Sequence, residues 1–244
     1  TLIDGDEVKL KTDPLVIDTD GDGVIDRDED TDSDGLTNAD ELYKYVTNPL
    51  VVDTDGDKLS DRIELLVLAT NPLNKDTDKD GVLDGNEDAD KDGLTNFVEL
   101  YIHKTDPRVA DTDQDSLSDG FEVNVLGTDP LVIDTDGDGV IDGNEDSDSD
   151  GLTDATELNT HHTNPRMTDT DRDGLSDSDE INKLKTNPSL ADTDRDGLGD
   201  GDELKNHKTN PLRWDTDNDG LSDWDEIYSH KTDPLSSMQP GQKL

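Results

Sequence analysis

The chain has 244 residues and a net charge of −44, from 65 acidic and 21 basic side chains, and only 27% of its residues are hydrophobic. Such a chain buries too little apolar surface to offset a backbone ordering cost of about 1–2 kcal/mol per residue, so composition alone is typical of disorder. Disulfides and thiolate metal sites are excluded because cysteine is absent. The acidity disfavours nucleic acid and anionic membrane surfaces as partners, and no apolar run is long enough to span a membrane.

An acidic repeat runs through nearly the whole chain. Its unit is Asp-x-Asp-x-Asp-Gly-Val/Leu-x-Asp-x-x-Glu, and it occurs in eleven copies that we number as loops 1 to 11. The loops are residues 18–29, 30–41, 53–64, 76–87, 88–99, 111–122, 134–145, 146–157, 169–180, 192–203 and 215–226. The steps between them follow the order 12, 23, 23, which predicts a super-repeat of 58 residues.

The super-repeat predicts six segments along the chain. Residues 1–17 are a truncated repeat and linker, which we interpret as the start of a processed or truncated product because the sequence begins inside a repeat. The segments 18–75, 76–133 and 134–191 are complete super-repeats with three loops each. Residues 192–235 form a partial super-repeat with two loops, and 236–244 are a tail.

Each 23-residue unit has a second half that follows the closing Glu of its loop. It contains an apolar residue, a few mixed residues and then Thr-Asp/Asn-Pro. We expect a short helix to begin near the end of the loop, to carry the closing Glu and to end before the Pro. One or two helical turns do not persist alone in water. Loops 1, 4 and 7 lack this half and abut the next loop directly, as at Glu29-Asp30.

The spacing of the acidic residues predicts calcium sites. Calcium takes six to eight oxygen ligands, and Asp at loop positions 1, 3 and 5 places three carboxylates inside one tight turn. Gly at position 6 allows a sharp bend. Position 7 offers a backbone carbonyl, position 9 binds directly or through water, and Glu at position 12 closes the site with both oxygens. Oxygen ligands without His or Cys favour calcium over zinc or copper, and the strict octahedral geometry of magnesium makes it the weaker candidate.

The predicted ligands occupy the same six positions in every loop. Position 1 is Asp18, Asp30, Asp53, Asp76, Asp88, Asp111, Asp134, Asp146, Asp169, Asp192 and Asp215. Position 3 is Asp20, Asp32, Asp55, Asp78, Asp90, Asp113, Asp136, Asp148, Asp171, Asp194 and Asp217. Position 5 is Asp22, Asp34, Asp57, Asp80, Asp92, Asp115, Asp138, Asp150, Asp173, Asp196 and Asp219. Position 7 is Val24, Leu36, Leu59, Val82, Leu94, Leu117, Val140, Leu152, Leu175, Leu198 and Leu221. Position 9 is Asp26, Asn38, Asp61, Asp84, Asn96, Asp119, Asp142, Asp154, Asp177, Asp200 and Asp223. Position 12 is Glu29, Glu41, Glu64, Glu87, Glu99, Glu122, Glu145, Glu157, Glu180, Glu203 and Glu226.

Charge bears on how many ions the chain holds. The acidic positions of the loops contain 53 of the 65 acids. We predict about eleven calcium sites, which would supply a charge of about +22 and leave about −22. If neighbouring loops share acids to hold a second ion each, the net charge falls near zero, and this is our hypothesis for a higher ion count.

Two loops lack the Gly at position 6, where Lys58 and Ser116 stand instead. A non-Gly residue costs roughly 1 kcal/mol there if the backbone is left-handed. We expect these two sites to be the weakest.

The loop Asp-Thr-Asp-Arg-Asp-Gly-Leu-Ser-Asp-Ser-Asp-Glu at residues 169–180, followed by Thr-Asn-Pro, resembles the bacterial thrombospondin type 3 repeat. The apolar residue at position 7 separates it from an EF-hand loop, and the chain lacks the cysteines of the animal repeats. The resemblance covers the chain up to the tail after Leu235. It implies an extracellular or cell-surface protein in which calcium-filled repeats form a stiff, extended segment.

The predicted fold is an irregular calcium-stabilised repeat array with short α-helical turns and little or no β-sheet, elongated into a solenoid-like rod. Binding energy becomes folding energy in such a protein. The predicted function is a stalk, spacer or self-assembling fibre subunit that attaches to other surface domains. The alternative is an adhesive or docking module for a surface, a glycan or a protein. The helices are too short for a calcium sensor, and no catalytic constellation is present, so we expect no enzyme.

The five histidines lie just before the Thr-x-Pro sequences, at His103, His161, His162, His207 and His230. A helix C-terminus favours cations, so we interpret them as capping or solvated residues. A transition-metal site is the alternative.

Overall fold

A computed structural model describes residues 2–237, so residues 238–244 of the predicted tail lie outside the described residues. The chain divides into two compact units, Thr1–Thr112 and Asp113–Leu244. The described residues contain short helices and no strand, which confirms the predicted repeat array without a sheet. None of these helices has the length and apolar character that crossing a membrane requires. The super-repeat boundaries and the elongated rod stay predictions.

Eight loops end in a short helical segment, and we call them the helix-bearing loops: 2, 3, 5, 6, 8, 9, 10 and 11. In the first seven, one α-helical turn begins at position 9 and a wider π-helical turn begins at the closing Glu. The α-helical turns are Asn38–Asp40, Asp61–Ile63, Asn96–Val98, Asp119–Phe121, Asp154–Thr156, Asp177–Asp179 and Asp200–Asp202. The π-helical turns are Glu41–Tyr45, Glu64–Leu68, Glu99–His103, Glu122–Leu126, Glu157–His161, Glu180–Leu184 and Glu203–His207, and loop 11 has Asp225–His230. A further α-helix, Asp4–Leu10, precedes loop 1. The predicted short helix that carries the closing Glu is therefore confirmed.

A side-chain cap at loop position 8 stabilises the start of most of these helices, and loop 10, with Gly199 there, begins its helix without one. In loop 9, the Ser176 side chain accepts a hydrogen bond from the backbone N–H of Asp179. Such a cap contributes about 1 kcal/mol because it satisfies an N–H group that has no partner within the helix. Seven helix-bearing loops share this cap, at Thr37, Ser60, Thr95, Ser118, Thr153, Ser176 and Ser222.

Left-handed residues end the same helices. Lys185 has a φ of 68°, and its side chain donates to the carbonyl oxygen of Ile181 at 2.8 Å. Lys208 and Lys231 repeat both features. A cation suits this position because the last carbonyls of a helix carry partial negative charge. His162 makes the equivalent contact, with its Nδ1 lying 3.0 Å from the carbonyl oxygen of Leu158.

Loops 1, 4 and 7, which we call the abutting loops, have Ile25, Leu83 and Ile141 at position 8 and therefore no capping side chain. Loops 4 and 7 contain only the short 3-10 helices Asp84–Asn86 and Asp142–Asn144. Loop 4 lies so close to loop 3 that a Cβ atom at Gly85 would be 2.6 Å from the carbonyl oxygen of Asp57. Loops 4 and 7 thus fold against the preceding loop with no more than one short 3-10 helix each.

The interior consists mainly of acidic side chains. Asp57, Asp61 and Glu64 of loop 3 are fully buried beside Leu59. The second unit contains a small apolar cluster of Leu117, Leu126 and Leu158. Because burial of an ionised carboxylate is costly unless a cation pairs with it, a fold with this interior needs either bound cations or protons among its acids.

Candidate metal centres

The carboxylates at positions 1, 3 and 5 are brought together within each loop, as the sequence predicts. In loops 1 to 4, one oxygen from each of the three lies within 4.8 Å of the others. Loop 9 shows how the backbone holds them. Asp169 accepts from the N–H of Gly174 at 2.9 Å, and Asp173 accepts from that of Leu175 at 2.7 Å. The turn therefore forms around its own acids and directs them inward.

Two residues of the turn are left-handed, at positions 4 and 6. In loop 9 these are Arg172 with a φ of 66° and Gly174 with a φ of 93°. Lys58 and Ser116 have φ values of 88° and 86°, so the left-handed turn that the sequence assumed at position 6 is present where Gly is missing. The same conformation at position 4 was not expected, because residues as different as Gly, Ser, Lys and Arg stand there.

Position 9 is fixed by a residue that the sequence analysis overlooked. The N–H and the hydroxyl of Thr170, at position 2, donate to the two oxygens of Asp177 at 2.9 and 2.6 Å. Thr occupies position 2 in nine of the eleven loops, and this regularity was the available signal. The hydroxyl of Thr170 also accepts from the N–H of Asn164, which lies in the Thr-Asn-Pro sequence before the loop. Position 2 therefore connects each linker to the loop that follows it.

Asn38, one of the two amides at position 9, has a further partner. Its Oδ1 accepts from the hydroxyl of Thr31 at 2.9 Å, and its Nδ2 donates to the carbonyl oxygen of Asp26 at 2.8 Å. Asn96 makes the same bond to the carbonyl oxygen of Asp84. An amide at this place joins two abutting loops through a neutral hydrogen bond.

The closing Glu of the helix-bearing loops is buried. Glu180 is fully buried, and its Oε1 accepts a hydrogen bond from the hydroxyl of Thr186 at 2.9 Å. Burial, together with the nearby charges of Asp171 and Asp173, raises the pKa of Glu180 to about 8. The pKa of Glu64 is raised to about 9 by the same causes. Both pKa values show that an ionised Glu is unfavourable here without a cation.

The closing Glu of the abutting loops is more exposed. Glu29, Glu87 and Glu145 are only partly buried. These loops are followed directly by the next loop, so they lack the second half of the unit and the Thr that it contains. Burial, followed by nearby aspartates, also raises the pKa of these three groups.

Several inward carboxylate oxygens are buried and have no hydrogen-bond partner, which tests whether the sites fit a cation. At position 3 these are Oδ2 of Asp32, Asp55, Asp148, Asp171, Asp194 and Asp217. At position 12 they are Oε2 of Glu41, Glu64, Glu122, Glu157, Glu180 and Glu226. A buried polar atom normally has a partner, and hard oxygen ligands suit calcium. The residues present therefore fit the ion.

A second kind of cluster lies between successive loops. Oxygens of Asp57 and Glu64 from loop 3 and of Asp84 from loop 4 lie within 4.8 Å of one another, and all three residues are fully buried. The N–H of Gly85 donates to Oδ2 of Asp57 at 3.1 Å. This bond from position 10 to position 5 of the preceding loop recurs where loops are 23 residues apart, at Arg62–Asp34, Gly143–Asp115, Ser178–Asp150, Gly201–Asp173 and Trp224–Asp196.

Comparison with protein families finds one that matches. The model described as "Bacterial TSP3 repeat" matches residues 2–16, 30–51, 53–75, 111–132, 146–166, 169–191, 192–213 and 215–237, which is more than half of the chain. No curated protein matches the sequence.

Two solved structures share short stretches with the chain. "Biofilm associated protein - B domain" is 40% identical over 19% of this chain and 11% of its own, with a TM-score of 0.19. "Biofilm associated protein - BSP domain" is 48% identical over 18% of this chain and 8% of its own, with a TM-score of 0.18. At these TM-scores neither structure bears on the arrangement of the whole chain.

Proposed function

We propose that this chain, which belongs to the bacterial TSP3 repeat family, is a structural segment of the cell surface or extracellular space that calcium makes rigid. Its repeats bind calcium, and the buried Oε2 atoms without a partner carry the proposal. Bound calcium would neutralise acids that otherwise oppose folding. The role proposed is mechanical, as a stalk, spacer or fibre subunit, and involves no catalytic step.

The hydrogen bonds between loops support a mechanical role. Loops 2, 3, 6, 8, 9 and 10 are each connected to the next loop by the Thr at its position 2 and by their own carboxylate at position 5. Contacts of this kind join neighbours in sequence, as in other repeat proteins. Because the carboxylates at position 5 are also predicted ligands, binding of calcium would stiffen the connection between loops as well as each loop.

We propose further that the chain binds more than eleven ions. The cluster of Asp57, Glu64 and Asp84 supports a shared site between loops, in addition to the site formed by positions 1, 3 and 5. Isothermal titration calorimetry and elemental analysis of the dialysed protein would count the ions. A stoichiometry near eleven would exclude the shared sites.

An extracellular location suits the ion requirement. A chain that needs many calcium ions to fold fits the millimolar extracellular concentration better than the low cytosolic one. Secreted calcium-binding modules accordingly have dissociation constants of about 10⁻⁴–10⁻³ M.

Small-angle X-ray scattering in millimolar calcium and in excess EGTA tests the proposal. A compact globule of this length has a radius of gyration of about 18 Å, and an unfolded chain about 54 Å. We expect a rod-like profile in calcium and a chain-like profile in EGTA. A compact profile that EGTA leaves unchanged would contradict the proposal.

Exposed apolar residues before several loops support self-assembly or docking as an extension of this role. Leu15 is 94% exposed, and Leu50 and Leu131 are 45% and 44% exposed. Scattering at several protein concentrations separates the two. Growth of the particle with concentration favours a fibre subunit, whereas a constant size with binding to a glycan or protein favours the adhesive alternative.

A further inference from the structure

In most of the Thr-Asn/Asp-Pro sequences, the Thr has a second hydrogen-bond partner besides the backbone. In six units its hydroxyl donates to Oε1 of the closing Glu, six residues earlier. The pairs and distances are Thr47–Glu41 at 3.3 Å, Thr70–Glu64 at 3.2 Å, Thr128–Glu122 at 3.1 Å, Thr163–Glu157 at 3.1 Å, Thr186–Glu180 at 2.9 Å and Thr232–Glu226 at 3.0 Å.

Each of these six carboxylates has one oxygen bonded and one oxygen without a partner. Oε2 of Glu180 and of Glu226 is buried and accepts no hydrogen bond. The neighbouring groups that face Glu226 are Asp217, Asp219 and Asp223, which are acidic ligand positions. The Thr hydroxyl therefore leaves Oε2 as the oxygen available to a cation among these acids.

The hydroxyl is not needed to end the helix. The backbone N–H of Thr232 already donates to the carbonyl oxygen of Glu226 at 3.0 Å, and Lys231 adopts the left-handed conformation with a φ of 58°. Both features are properties of the backbone. Val has the same branched shape as Thr and would retain them, so the hydroxyl must serve the carboxylate.

We propose that this Thr is a positioning residue for the calcium sites, which holds the closing Glu so that it gives one oxygen, Oε2, to the ion. The inference rests on the proposed function. It differs from the expectation drawn from the sequence, in which both oxygens of the Glu bind.

Loop 11 contains a natural reporter for this test. Both tryptophans of the chain lie at this end of it, since Trp214 precedes Asp215 and Trp224 stands at position 10 of loop 11, next to Gly197 of loop 10. Terbium is a luminescent substitute for calcium that an excited tryptophan nearby can sensitise. Emission excited through tryptophan therefore reports ions at this end of the second unit rather than the whole array.

The experiment uses the full chain with terbium and measures affinity and the number of water molecules on the bound ion, from luminescence lifetimes in H₂O and D₂O. For Thr232→Val we expect at least about tenfold weaker binding, the size of a lost hydrogen bond to a charged group. Because Glu226 is then free to rotate, the number of bound waters should change by about one. Thr232→Ser should keep both parental values, and so should the control Thr168→Val, which alters an exposed linker residue.

The outcomes separate the inference from the proposed function. The inference is overturned if Thr232→Val keeps both the affinity and the number of bound waters of the parent. It is also overturned if Thr232→Val binds more weakly with an unchanged number of bound waters, because that is the result expected of a Thr with a purely structural role. A parent chain that binds neither terbium nor calcium would overturn the proposed function instead.

A second site decides the matter if Thr232→Val abolishes emission. Ser178 is the equivalent of Trp224, and its N–H donates to Asp150 as that of Trp224 does to Asp196. Ser178→Trp in a chain with Trp214→Phe and Trp224→Phe moves the reporter to loop 9, where Thr186→Val and Thr186→Ser are compared. If Thr186→Val also abolishes emission, Thr186→Ser must show emission and the same number of bound waters as the parent. Loss of emission in Thr186→Ser as well overturns the inference.

Discussion

Helix-bearing and abutting loops contain the same acids at positions 1, 3, 5 and 12, yet their closing Glu residues have different surroundings. Glu180 of loop 9 is fully buried and bonded to Thr186, whereas Glu145 of loop 7 is partly exposed. The apolar residue at position 7 follows the same division. Leu59 and Leu117 are 0% and 1% exposed, and Val82 and Val140 of the abutting loops are 39% and 41% exposed.

The difference shows that the twelve-residue motif alone does not complete a site. The second half of a unit supplies the helix that carries the Glu and the Thr that holds it. Abutting loops instead rely on the loop that follows, and in loop 1 the amide of Asn38 makes this connection. We therefore expect the two kinds of loop to differ in ion affinity although their ligands are alike in sequence.

The largest effect is expected from substitution of the closing Glu, and it should differ between a helix-bearing and an abutting loop. Glu180→Gln removes a buried ligand oxygen, and we expect at least about 100-fold weaker binding at that site, beyond the range found for the loss of a supporting residue. Glu145→Gln should cost less because that side chain is partly exposed. Calcium titration calorimetry of both variants against the parent measures the difference. Equal losses would show that the two kinds of loop are equivalent.

Proton release is the next effect. The pKa of Glu180 is raised from 4.5 to about 8, so the calcium-free fold binds more protons than the unfolded chain. The stability that protonated Glu180 contributes to this fold is fully present below about pH 4.5 and is lost as the pH rises through 8. Calcium that binds this folded state at pH 7 must displace these protons, so its affinity should rise with pH up to about 8. A calcium-free chain that is unfolded has Glu180 ionised at pH 7 and releases no proton from it.

Calorimetry in buffers of different ionisation enthalpy counts the released protons. The Glu180→Gln variant should release fewer protons than the parent. Calcium binding without proton release at pH 7 would show that calcium folds an unfolded chain, in which Glu180 is already ionised, rather than binding a protonated fold.

The smallest effect concerns the strained turn of loop 3. Lys58→Gly removes a left-handed Lys and should stabilise the calcium-bound protein by up to about 1 kcal/mol. The change also removes contacts of Lys58 with Asn86 and the Phe97 ring. Lys58→Ala is the matched control, because it removes the same contacts and keeps the strain. Equal thermal stability of the Gly and Ala variants would show that φ carries no cost there.

The period of the sequence was sufficient to predict the repeat, the clustering of the carboxylates at positions 1, 3 and 5, and the short helices that carry the closing Glu. Each of these features depends only on the local spacing of residues. The bond between Thr186 and Glu180 was not predicted, since Thr-Asn-Pro also has a sufficient explanation as a helix stop. Asn38 was predicted as a ligand from its position, while its hydrogen bonds to Thr31 and Asp26 depend on how two loops approach each other. Contacts between loops are therefore difficult to predict from the sequence of a single loop.

The bond from position 10 to position 5 gives the array a polarity. Asp196 accepts a hydrogen bond from the N–H of Trp224 in the loop after it, so a loop of this kind is completed from its C-terminal side. In loop 11 the corresponding oxygen, Oδ2 of Asp219, has no partner among the described residues. Shortening the array by a whole loop is therefore not symmetric. Removal of loop 11 would transfer the incomplete carboxylate to Asp196, whereas removal of a loop from the other end would leave every remaining position 5 as it was.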